Sequence, residues 1–103
     1  MLPQEDMIER VRELCHRDER VVSALMYGSF ALGEGDRFSD IEFFLLFEDE
    51  AAEGLREEAW IAQIAPLDLY YVYEFGNGSA IFENLVRGEF HFTAASNVGL
   101  VDA

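Results

Sequence analysis

The chain has 103 residues, half of them hydrophobic and 14% aromatic, with seven basic against 21 acidic side chains and a formal charge of −14, enough for one packed domain and incompatible with wholesale disorder. That charge excludes a binder of nucleic-acid backbones and a basic membrane-surface helix, because both need a cationic face. All seven basic residues are arginine, so a Walker-type phosphate loop, a Schiff-base lysine and a Ser-x-x-Lys nucleophile are excluded, and the single Cys15 can neither close an internal disulfide nor build a zinc cluster.

Residues 1–6 are acidic and carry no signal-peptide hydrophobic stretch, and the longest apolar run, Phe43-Phe44-Leu45-Leu46-Phe47, is far too short to span a bilayer. The expectation is a cytoplasmic chain.

Pro3–Arg17 reads as a helix. Pro3 suits the first helical position, Glu5 and Asp6 suit the positive end of the helix dipole, and Ile8, Val11 and Cys15 recur at helical spacing beside Met7 and Leu14. After the polar break Asp18-Glu19-Arg20, Val21–Tyr27 is apolar and β-rich, a buried strand that Gly28-Ser29 ends abruptly. Residues 30–33 predict one helical turn, and Gly33-Glu34-Gly35-Asp36 a loop turn. Residues 40–47 make the strongest strand. Residues 49–64 predict a helix with Asp49 as N-cap, stopped before Pro66. Residues 67–75 alternate Leu67, Leu69, Tyr71, Tyr73 and Phe75 on one face, a strand broken by Gly76-Asn77-Gly78. Ile81, Phe82, Leu85 and Val86 follow a helical rhythm, with Gly88 at a helix-ending position, and residues 89–93 predict a last strand. The order α-β-(α)-β-α-β-α-β predicts an α/β domain built on a single sheet with flanking helices.

The chemistry concentrates in Tyr27-Gly28-Ser29, ten further residues, then Asp40-Ile41-Glu42. Asp40 and Glu42 are two apart on a strand, so their side chains share a face. Two carboxylates on one face repel unless a cation lies between them, and hard oxygen ligands of this kind suit Mg²⁺ carrying a substrate phosphate. Gly28 permits close backbone approach to a ligand, and Ser29 offers a hydroxyl and an amide at a strand-to-helix turn, a natural phosphate site. Glycine-serine after a strand is most often an ordinary turn and acids at a strand start are most often solvated. The two halves together, each in its strand context, make the functional pattern.

Hydrophobic-Gly-Ser, a spacer, then Asp-hydrophobic-Glu-hydrophobic resembles the signature of the nucleotidyltransferase superfamily that includes DNA polymerase β. Ala24-Leu25-Met26-Tyr27-Gly28-Ser29-Phe30, Gly33-Glu34-Gly35-Asp36, Ser39-Asp40-Ile41-Glu42-Phe43, Ile81-Phe82-Glu83-Asn84-Leu85 and Arg87-Gly88-Glu89-Phe90-His91-Phe92 closely resemble lincosamide nucleotidyltransferases over most of the chain. The resemblance implies a polymerase β-like mixed sheet and transfer of AMP from ATP to a hydroxyl of a small molecule, a lincosamide antibiotic, with Mg²⁺ and as a homodimer. Such enzymes carry a further helical C-terminal domain, which these 103 residues do not include.

A third carboxylate is expected as general base. Glu89 matches the resemblance and ranks ahead of Asp68, an acid between hydrophobics at another strand start. Arg37 and Arg87 can meet phosphate oxygens or remain surface arginines. Ser39 can bind phosphate or shape its turn. His91 lies on the face of Glu89, and Cys15 reads as core. His16-Arg17-Asp18 mimics a kinase catalytic loop, but Ser23 stands where that pattern needs asparagine. Two other functions remain open: a minimal nucleotidyltransferase paired with a separate helical protein in a toxin–antitoxin arrangement, and a non-catalytic truncated domain.

Overall fold

A computed structural model of the chain describes residues 2–72 and 78–97. Five strands form one mixed sheet in the order β1-β2-β5-β4-β3, with β1 Val21–Tyr27, β2 Ile41–Phe47, β3 Leu67–Val72, β4 Gly78–Phe82 and β5 Arg87–Ala94. The pairings are antiparallel except β2 with β5, which run parallel.

Helix α1, Pro3–Arg17, opens as expected, with Pro3 in its first turn and the Glu5 carboxylate accepting from the Leu2 N–H at 3.2 Å. Met7, Val11 and Leu14 bury its inner face. They pack with Trp60, Ile61 and Ile64 against one face of the sheet, on Ile41, Phe43, Leu45 and Phe47 of β2, Ala80 and Phe82 of β4, and Phe90 of β5. Phe47, Phe82 and Phe90 are fully buried, each contributing roughly 1.5–3 kcal/mol by the removal of its ring from water. Because side chains alternate along a strand, the opposite face carries Glu42, Phe44, Glu89 and His91.

The end of α1 is anchored electrostatically. The Asp18 carboxylate accepts from the Arg20 backbone N–H (3.0 Å), from Arg20 Nε (2.9 Å) and Nη2 (2.7 Å), and from Trp60 Nε1 (3.1 Å). The Arg20 hydrogen bonds, foremost among these, hold its pKa down at about 2. Asp18 thus ties α1, β1 and the Trp60 helix together, which is the role of the kinase-like tripeptide's acid.

Five expectations are corrected. The strand β1, expected to be buried, lies at the sheet edge with Val22, Ser23, Ala24 and Leu25 exposed. Asp49, expected as an N-cap, is already the first helical residue, with Glu48 at the cap position. Residues 49–64 form two short helices, α2 Asp49–Glu53 and α3 Glu57–Ala62, parted at Gly54. Glycine weakens a helix interior; α2 has no fully buried residue, its Ala52 packing only partly against the core, whereas α3 buries Trp60 and Ile61. Residues 30–33 make hydrogen-bonded turns without becoming a helix. The helix expected around residues 81–86 is instead the end of β4 and a tight hairpin into β5. Phe82 N–H donates to Val86 C=O and Leu85 N–H to Phe82 C=O, each at 2.9 Å, and Leu85 takes φ +71°. This is a three-residue hairpin loop ending in a left-handed residue. Its odd length places apolar residues at offsets that imitate a helix. Gly88, expected to end that helix, lies inside β5, where a Cβ would crowd Phe90 and Ile41. Residues 73–77, which held the end of the expected third strand and most of its glycine break, lie outside the described residues.

Candidate active site

Register across the sheet assembles the polar face. Tyr27 of β1 stands opposite Glu42 of β2, Glu42 opposite Glu89 of β5, Glu89 opposite Ser79 of β4, and Ser79 opposite Tyr71 of β3. One row of side chains therefore crosses all five strands, on the face away from the helices. Asp40 lies two residues before Glu42, just outside the start of β2, and its Oδ2 accepts from Arg87 Nε (3.1 Å) and Nη2 (3.0 Å).

The electrostatics follow from that crowding. Burial first, then the charges of Glu89 and Asp40, push the Glu42 carboxyl above its usual range, while Arg87 pulls it down. Burial, with Glu89 and Glu42 adding to it, pushes the Tyr27 phenol up to about 12. Desolvation lowers the His91 imidazole, against an opposing pull from Glu89. Tyr27 Oη and His91 Nε2 are 2.8 Å apart, and His91 stacks on Phe44 at 4.3 Å between ring centroids.

The glycine–serine turn meets this row directly. Gly28 has φ +82°, the left-handed region that favours glycine, and a Cβ there would overlap the Glu42 carboxylate. The Ser29 carbonyl accepts from the N–H groups of Leu32 (3.2 Å) and Glu34 (2.8 Å). Its hydroxyl makes no hydrogen bond among the described residues.

The loop before Asp40 is braced from two sides. Ser39 Oγ accepts from the Asp36 N–H (3.0 Å) and donates to Asp36 Oδ1 (3.1 Å), which also accepts from the Phe38 N–H (2.9 Å). The Ser39 hydroxyl, expected as a phosphate contact or a turn former, is thus occupied in forming the turn. Buried Gln4, from the first turn of α1, directs Nε2 at the carbonyls of Asp36, Arg37 and Ser39, at 3.2, 3.0 and 3.1 Å. Arg37 is exposed, its guanidinium 4.7 Å above the Phe38 ring, and with Asp40, Leu85 and Arg87 it lines a recess of about 580 Å³.

Other candidates lie elsewhere. Asp68 is exposed on β3, two strands beyond β5, beside Arg56 and Glu57. By register Glu89 lies beside Glu42, and Asp68 does not. Cys15 is half-buried, and burial pushes its thiol up to about 11, which leaves it a poor nucleophile at neutral pH. Sequence reasoning missed Gln4 and Ser79. Neither carries a local signal, since a glutamine in a first helical turn and a serine in a strand acquire meaning only through partners far along the chain.

Asp40 and Glu42 suit a divalent cation by the chemistry of their donors, and the repulsion that adds to burial in raising Glu42 is what a cation would relieve. Among the described residues no three His, Cys, Asp or Glu side chains are already gathered as a metal-binding group. Arg87 occupies Asp40 in this structure. A cation would be held by Asp40 and Glu42.

Among the described residues no helix is long and apolar enough to cross a membrane. No curated protein matches the chain. A protein family does, described as a nucleotidyltransferase domain and covering residues 8–92, from within α1 through β5. The single five-stranded mixed sheet with its helices agrees with the polymerase β-like form of that domain. On this match, which takes in both halves of the glycine–serine and carboxylate pattern and Glu89 as well, the chain belongs to the nucleotidyltransferase domain family and is a nucleotidyltransferase.

Proposed function

We propose that this nucleotidyltransferase moves AMP from ATP to a hydroxyl of a small molecule, with Mg²⁺, and that the acceptor is a lincosamide antibiotic. The observation that carries the chemistry is the parallel pairing of Glu42 with Glu89, beside Asp40 and against Gly28. Gly28 lets the backbone approach the triphosphate, and the Ser29 hydroxyl and amide meet its oxygens. Arg37 adds a cationic contact, on a loop that Ser39 and Gln4 hold in place. Glu89 takes the proton of the acceptor hydroxyl as its oxygen attacks the α-phosphorus. The bond from that phosphorus to the bridging oxygen breaks, and pyrophosphate leaves with the electron pair. Bound Mg²⁺, held by Asp40 and Glu42, supplies charge neutralisation on the phosphate oxygens.

The acceptor class rests on the resemblance carried by Arg87-Gly88-Glu89-Phe90-His91-Phe92 and the glycine–serine segment. A homodimer belongs to the same proposal. Among the described residues β1 pairs on one side only, and its seven residues carry no charge in a chain of −14, so this edge is where two copies would meet with least repulsion. The chemistry is tested by incubating the chain with ATP, Mg²⁺ and lincomycin or clindamycin, followed by mass spectrometry, with light scattering for the assembly. Gain of one AMP per antibiotic, with release of pyrophosphate, is expected. ATP binding without any adduct would overturn the acceptor, and absence of Mg²⁺-dependent ATP binding would overturn the whole proposal.

A further inference from the structure

Ser79 is fully buried, although it lies on the face of the sheet away from the helices, and among the described residues its hydroxyl has no hydrogen-bond partner. Buried hydroxyls are rarely left unpaired, because desolvating one without a partner is costly. β4 and β5 are antiparallel, and Ser79 stands directly opposite Glu89. Side chains so placed have Cβ atoms about 4.5–5.5 Å apart, so a rotation about one bond of the serine brings its Oγ toward the Glu89 carboxylate. On its other side Glu89 faces Glu42, through the β2–β5 pairing. Glu89 therefore sits between a like charge on one strand and a free hydroxyl donor on the other.

We propose that Ser79 is the positioning residue for Glu89: its hydroxyl donates to the carboxylate when nucleotide and cation draw Glu42 toward themselves, and fixes which oxygen of Glu89 faces the acceptor. The serine does not touch substrate. The inference rests on the proposed role of Glu89 as base. No atom is transferred through Ser79, and its proton stays on the hydroxyl throughout.

The test pairs a structure with kinetics. In a crystal structure of the chain with Mg²⁺ and α,β-methylene-ATP, Ser79 Oγ is expected within hydrogen-bond distance of the Glu89 carboxylate. An Oγ still unpaired, or bonded elsewhere, would overturn the proposal. In AMP transfer to lincomycin, Ser79→Ala should lower kcat about tenfold with the KM for ATP unchanged, and Ser79→Thr, which keeps the hydroxyl, should restore most of the rate. In a Glu89→Gln background, Ser79→Ala should have no further effect, since residues acting as one unit are not additive. A Ser79→Ala rate equal to wild type, or an equal loss in both backgrounds, refutes the positioning role. Should Ser79→Thr fail to fold, as its melting curve would reveal, the double substitution and the crystal structure still decide. If Glu89→Gln itself transfers at the normal rate, the base assignment falls and Ser79 with it, whereas a slow Glu89→Gln beside a normal Ser79→Ala removes Ser79 alone.

Discussion

Gly28 and Gly33 share a backbone conformation and differ in what lies against them, so a matched pair of alanine substitutions separates backbone strain from site damage. Gly28 has φ +82° and Gly33 φ +75°. An L-residue in this region costs about 1–2 kcal/mol, offset by roughly 0.4–1 kcal/mol because alanine stiffens the unfolded chain. Each variant should thus lose about 1 kcal/mol, or roughly 4–8 °C of melting temperature for a domain of this size. The added methyl finds open space at Gly33, but at Gly28 it falls on the Glu42 carboxylate. That carboxylate is the far end of a flexible side chain, so it swings aside at little cost to the fold. The swing moves it away from Asp40 and Gly28, where the cation and triphosphate are proposed to bind.

Displacing a group of a metal site by this much should weaken binding about 10–100-fold. Melting curves and calorimetry of ATP binding in Mg²⁺, run well below both melting temperatures, make the comparison. Gly28→Ala and Gly33→Ala should melt alike, and only Gly28→Ala should lose nucleotide affinity. Equal affinity in the two variants would refute the role given to the Gly28–Glu42 contact, and so would an equal loss.

Four other outcomes are expected. Asp18→Asn should cost about 1–2 kcal/mol at neutral pH, less than the full depression to about 2 implies, because Arg20 is half-exposed. A depressed carboxyl stabilises the fold above its unfolded pKa near 4 and ceases to do so as pH falls toward 2, so urea melts followed by the single tryptophan should find the gap between wild type and variant closing below pH 4. Leu85→Asn should raise stability by about 0.5–1 kcal/mol, since asparagine tolerates the left-handed region and Leu85 is 84% exposed with little burial to lose; an unchanged urea midpoint would contradict this. Glu89→Gln should spare ATP binding and slow transfer about 10²–10⁴-fold, whereas Asp68→Asn, out on β3, should leave the rate unchanged; the reverse pattern would exchange their roles. Glu42→Gln should raise the melting temperature and abolish Mg²⁺-dependent ATP binding, both read on one sample with and without the metal.

What was legible in the sequence was local, and what was not depended on register. Helix α1 and strand β1 match their expected bounds because cap, break and apolar spacing agree there. The glycine–serine turn and the Asp40/Glu42 pair were legible because each is a short pattern whose neighbours set its context. Residues 81–86 misled because a three-residue loop shifts the period-2 pattern of one strand against the next, and Ile81, Phe82, Leu85 and Val86 then imitate a helix. The break at Gly54 was present in the sequence, but the apolar residues after it suggested one continuous helix. The Glu42–Glu89 and Ser79–Glu89 pairings follow from the strand order and register, and the reach of Gln4 across 32 to 35 residues to its loop follows from where α1 lies, none of which any periodicity encodes.

A protein of −14 with no lysine must hold a polyanion by means other than general attraction. Among the described residues four arginines are engaged with carboxylates, Arg10 with Glu13, Arg12 with Glu9, Arg20 with Asp18 and Arg87 with Asp40. Of these only Arg87 stands at the carboxylate row. The row itself is unfavourable when empty: Glu42 is raised by burial, Glu89 and Asp40, so the folded chain holds a proton there more tightly than the unfolded chain does. Its contribution to stability is present at low pH and is lost as pH rises through the raised value. A divalent cation reverses that sign, because it compensates the same charges without a proton and brings its own attraction for phosphate. Cation and proton therefore compete for one site, and affinity for the metal should fall as pH falls into the carboxylate range. The parallel β2–β5 pairing puts two glutamates side by side on an acidic protein, and under the proposed function that crowding of charge would favour a nucleotide that arrives with its metal.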